Sequence, residues 1–64
     1  MEKTYEALIE RLKQSYRWNL ETAEALERQP DLNEFELKVI DRRKAVANHL
    51  ARIIEVETGE EVKK

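Results

Sequence analysis

The sequence predicts an all-α fold: an antiparallel two-helix hairpin that dimerises into a four-helix bundle. Three observations carry this. Apolar residues recur at helical spacing in two long stretches, a Pro30-Asp31 dipeptide separates them, and the 64 residues hold only one Gly and one Pro in all.

The first helix should run from about Thr4 to Gln29, with Thr4 as its N-cap. At about 100° per residue, Tyr5, Leu8, Ile9, Leu12, Tyr16, Leu20, Ala23 and Leu26 fall on one broad face. Pro30 disfavours helical geometry at Gln29 and ends the helix, leaving residues 30–32 as the turn. The second helix should cover about residues 33–58. Asn33 can cap it, with Glu36 three residues on as a capping-box partner and Leu32 stapled to Leu37, and Asp31 with Glu34 offers an alternative cap. Phe35, Val39, Ile40, Val46, Ala47, Leu50, Ile53 and Ile54 form its stripe. Gly59 suits a left-handed stop, and residues 59–64 are expected to fray.

Two helices of this length joined by a few residues must fold back on one another. Folding about residues 30 and 31 places residue i near residue 61 − i, to within about a turn. Ile9 then faces Ile53, Leu12 faces Leu50, Leu26 approaches Phe35, and Trp18 lies close to Arg43. Each stripe is wider than one facing helix can cover, and a chain this short buries little of its surface alone. Cysteine is absent and there is one histidine, so neither disulfides nor a structural zinc can supplement the core. A second copy of the chain is the remaining common remedy, hence the expected homodimer.

Charged and hydrophobic residues each make up 41% of the chain, and the net charge is −2, a balance that fits exposed helices and not disorder. No signal-peptide h-region or membrane-length apolar run is present, so the expectation is a cytoplasmic protein without membrane contact. His49 has no Glu, Asp or His three or four positions away, and no glycine-rich phosphate loop occurs. The chain is therefore expected to be non-enzymatic, with no catalytic residues, metal, cofactor or small-molecule substrate; two helices offer mostly convex surface, whereas general acid–base work needs a concave, partly dry site.

Two residues break the pattern. Arg43 stands in the middle of the second apolar stripe. It could stack on Trp18 or Tyr16, pair with a carboxylate such as Glu21, or join Ser15 and Asn19 in a polar layer that sets register. Trp18 lies away from the first stripe, on a strip with Ala7 and Ala25. It either offers a second contact surface or tucks its ring against helix 2. Trp18, Arg43 and Tyr16 are the candidate partner contacts. Charge is also banded: residues 11–17 carry +3 and residues 38–52 carry +4, while residues 18–37 carry −5. Arg17, Arg42 and Lys44 are the candidate phosphate contacts if that basic waist binds RNA or DNA.

In length and layout the chain resembles the Rop-like plasmid copy-number proteins, small dimeric helical hairpins that bind paired RNA loops across the bundle. It also resembles small bacterial hairpin regulators that bind a larger protein. The likeness is one of architecture, with no motif matched residue by residue. The leading expectation is a small protein-interaction or regulatory protein acting as a homodimer on a further protein partner, and the alternative is a nucleic-acid-binding hairpin.

Overall fold

Asn33 shows most directly how the local sequence sets the fold. In a computed structural model that describes residues 2–60, with side chains from residue 4 onward, Asn33 has extended backbone angles and its side chain accepts from the Glu36 N–H at 2.8 Å. Glu36 returns the bond, accepting from the Asn33 N–H at 3.1 Å, so the capping box is complete. Asn33→Ala removes the side-chain acceptor and is expected to cost about 1 kcal/mol. A lowered urea midpoint with unchanged slope would register that loss.

Two helices result, α1 over Glu2–Glu27 and α2 over Glu34–Thr58. They lie side by side in a rod of 47 × 17 × 16 Å. The boundaries differ from expectation at α1. Thr4 is inside the helix and does not cap it, since α1 already runs at Glu2. The Tyr5 hydroxyl donates to the Glu57 carbonyl at 2.9 Å and to its carboxylate at 3.1 Å, which ties this turn to α2. At the other end α1 stops at Glu27, two residues short of Gln29. Arg28 and Gln29 donate to Ala25 and Leu26, an i→i−3 tightening that finishes the helix as the chain approaches Pro30. The turn therefore covers residues 28–33, with Asp31 in a left-handed conformation at φ 57°. Gly59 takes the expected left-handed cap at φ 73°, and its N–H donates to Glu55 at 2.8 Å. Of the tail expected to fray, residues 61–64 lie outside the described residues.

The interface between helices is a narrow seam. Tyr5, Ile9, Leu12, Tyr16, Asn19, Ala23 and Leu26 alternate steps of four and three, as do Glu36, Ile40, Arg43, Ala47, Leu50, Ile54 and Glu57. Ile9, Ala23, Ile40, Ala47, Ile54 and Asn19 are the buried residues, and they all belong to these rows. Ala23 and Ala47, both fully enclosed, let the backbones approach closely. The pairs Tyr5–Glu57 and Asn19–Arg43 each total 62 in residue number, so the register is one residue from that expected. Leu26 is thus level with Glu36 and not with Phe35, while Ile9 is level with Ile53 and Leu12 with Leu50 as expected; of the two isoleucines in the expected stripe, Ile54 lies in the seam and Ile53 beside it. Phe35, placed in the second core stripe, is 73% exposed, because it stands one position off the seam, where Glu36 takes the place facing α1. Tyr5, Leu8 and Val46 are likewise exposed members of the expected stripes.

The Tyr5 phenol is held above its usual value by partial desolvation, by its bond to Glu57 and by that carboxylate's charge. A raised phenol pKa stabilises the fold fully below the unfolded value of 10.0, and this is lost as pH rises through the folded value. In a Tyr16→Phe variant, which leaves one tyrosine, phenolate absorbance should therefore develop at higher pH in the folded than in the urea-unfolded chain.

Candidate functional site

Stepping back one residue from each core seam gives a second row on each helix. On α1 it comprises Thr4, Leu8, Arg11, Ser15, Trp18, Thr22 and Ala25; on α2 it comprises Phe35, Val39, Arg42, Val46, His49, Ile53 and Val56. Because the helices are antiparallel, rows displaced in the same sense from the seam lie on the same side of the hairpin. The α2 row holds strict four-three spacing from Phe35 to Val56, a span of about 31 Å at helical rise. No helix covers it. Leu8, Trp18, Phe35, Val46 and Val56 are all exposed, Val56 to 78%.

The rows displaced the other way are different in kind. They carry Glu6, Glu10, Lys13, Arg17, Leu20, Glu24 and Glu27 on α1, facing Leu37, Asp41, Lys44, Asn48, Ala51, Glu55 and Thr58 on α2. Lys44 and Glu27 form an ion pair there. Both side chains are about two-fifths exposed, so the bond contributes little to stability. The hairpin thus has a charged face and an apolar face, and five large apolar side chains stand open on the latter.

Arg43 lies across the middle of the apolar face. Its guanidinium donates to Asn19 Oδ1 at 3.2 Å, and its central carbon sits 5.4 Å from the centroid of the Trp18 ring. Asn19 is 5% exposed and donates in turn to the Ser15 carbonyl at 2.7 Å. The Trp18 indole is 57% exposed and is also engaged from α2 by Arg43. Arg43 is half-buried, stacked on Trp18, and part of a layer with Asn19 and Ser15. Tyr16, the third candidate contact, is half-buried in the core seam and does not join them.

Of the candidate phosphate contacts, Arg42 belongs to the apolar face while Arg17 and Lys44 belong to the charged one, where Lys44 is ion-paired. The three do not share a surface, so the basic waist is not one continuous patch. His49 is exposed on the apolar face beside Arg52, Ile53 and Val56, which line a shallow open depression. Among the described residues no group of His, Cys, Asp and Glu is gathered as a metal site, and no helix is long and apolar enough to cross a membrane.

Sequence reading named Trp18 and Arg43 but merged the exposed α2 row with the core stripe. The signal separating them was available in the uninterrupted four-three spacing from Phe35 to Val56. No protein-family model, curated protein or solved structure matches the chain.

Proposed function

We propose that this chain is a small non-enzymatic interaction protein that works as half of a helical bundle. A second copy covers its apolar face to give a homodimer. The observation that supports the reading is the unpartnered row from Phe35 to Val56 with Leu8 and Trp18 beside it. A helix row of this spacing and length matches what another helix pair would pack into.

Magnitudes support a dimer of modest strength. Covering about half of each of the five exposed apolar side chains recovers roughly 1 kcal/mol apiece. Two copies recover about 10 kcal/mol, against an association cost of about 4–15 kcal/mol. The balance is close, so polar groups on the face decide the affinity. Sedimentation equilibrium from low to high micromolar concentration is the test. A rising weight-average mass that levels off at two chains is expected; a folded monomer throughout would remove the homodimer. The nucleic-acid alternative has less support, because its three basic residues are divided between faces.

A further inference from the structure

We infer that the apolar face also receives an acidic amphipathic helix from another protein, which competes with the second copy by supplying a carboxylate to Arg43. This rests on the reading of that face as an assembly surface and adds the chemistry of the partner.

Charge on the face carries the argument. Arg11, Arg42 and Arg43 all lie in or beside its rows, and its acids among the described residues, Glu36 and Glu57, stand at its two ends and already accept from the Asn33 N–H and the Tyr5 hydroxyl. The α1 row from Thr4 to Ala25 has no Asp or Glu at all. The groups that meet the Arg43 guanidinium are neutral, an amide oxygen and an indole face. While the face is open, water solvates the rest of that charge. Once any helix covers it, the charge is desolvated and needs an anion.

A second copy carries no carboxylate at the middle of this face, where Arg43 lies; its Glu36 and Glu57 stand at the two ends. Packed symmetrically about that middle, it brings its arginines toward those of the first copy, and like charges at close quarters oppose association. An unlike helix with the same apolar row and Asp or Glu along its flanks covers the same surface and neutralises the arginines. A carboxylate level with the Asn19–Arg43 layer would complete the guanidinium's hydrogen bonding, and Trp18 would form the wall beside it. The four-three spacing fixes where along the partner the acid must fall, so the layer sets register as well as affinity.

Three synthetic helical peptides test this. They share one row of Leu and Ile at four-three spacing and differ only in carrying Glu, Gln or Lys on the flanks. Binding to the full chain is followed by peptide anisotropy and Trp18 fluorescence, with sedimentation reporting the dimer. The Glu peptide is expected to bind at least about tenfold more tightly than the Gln peptide and to dissociate the homodimer. That advantage should shrink severalfold in 1 M salt and be largely lost in Arg43→Gln, which keeps an amide donor for Asn19. Equal binding of Glu and Gln peptides, or a Glu preference unchanged in Arg43→Gln, overturns the proposal. Failure of every peptide while the chain still dimerises overturns it and leaves the homodimer standing; failure of every peptide with a monomeric chain removes both. A short RNA duplex that binds more tightly than the Glu peptide at the same salt assigns the arginines to phosphate instead.

Discussion

Ile54→Ala should unfold the hairpin. Among the described residues Ile54 is the one large side chain that is fully enclosed, in a core whose other buried members include two alanines and a polar asparagine. Removing a buried isoleucine down to Cβ costs about 2–5 kcal/mol, the transfer of the lost carbons plus the cavity left behind. A scaffold of this size rarely holds more than about 3–5 kcal/mol in its core. The expected result is loss of most helical circular dichroism at 25 °C in dilute solution, where a dimer cannot compensate. Ile53→Ala, one residue away on the exposed row, is the control and should keep its helicity. The contrast checks which face of α2 meets α1: were Ile53 the enclosed residue, the two variants would exchange behaviour.

That one-residue difference marks where sequence reading stopped. Helix identity, the capping box at Asn33 and Glu36, the Gly59 stop and the meeting of Trp18 with Arg43 were all legible, because each depends on neighbours within a turn or on a single short connection. The level at which one helix passes the other depends on how many residues the turn consumes. α1 ended at Glu27 and Asp31 adopted φ 57°, details that Pro30 announces only in outline. A change of one residue moves a side chain by about 100° around its helix. Phe35 and Ile53, each one residue before a seam position, stand to its side in the outer row, and the apolar stripe that had looked too wide resolved into two narrow rows. Only one of them is satisfied by the hairpin. The banding of charge along the chain gave less help, since it runs across both faces and only the burial of Asn19 beside Arg43 shows which charge stands at an interface.

Arg43→Leu should strengthen self-association while leaving the hairpin folded. In the monomer the substitution forfeits a stacked indole and leaves the amide oxygen of the buried Asn19 without that bond, a loss of about 1–3 kcal/mol. In the homodimer the same guanidinium is buried against its symmetry mate without an acid to meet it. Exchanging a buried, poorly compensated charge for an apolar side chain of similar reach stabilises by about 1–4 kcal/mol, which is roughly a tenfold to thousandfold tighter dimer. Sedimentation equilibrium should show the variant dimeric at concentrations where the parent is mostly monomeric. The gain ought to be smaller in 1 M salt, where the parent's arginines are screened and its own dimer improves. Asn19, left with one partner fewer, should then allow more than one alignment of the two copies, visible as heterogeneous amide resonances in a protein of unchanged helicity. An unchanged dimer constant would mean that Arg43 swings clear of the contact and that the charge on this face does not govern what covers it.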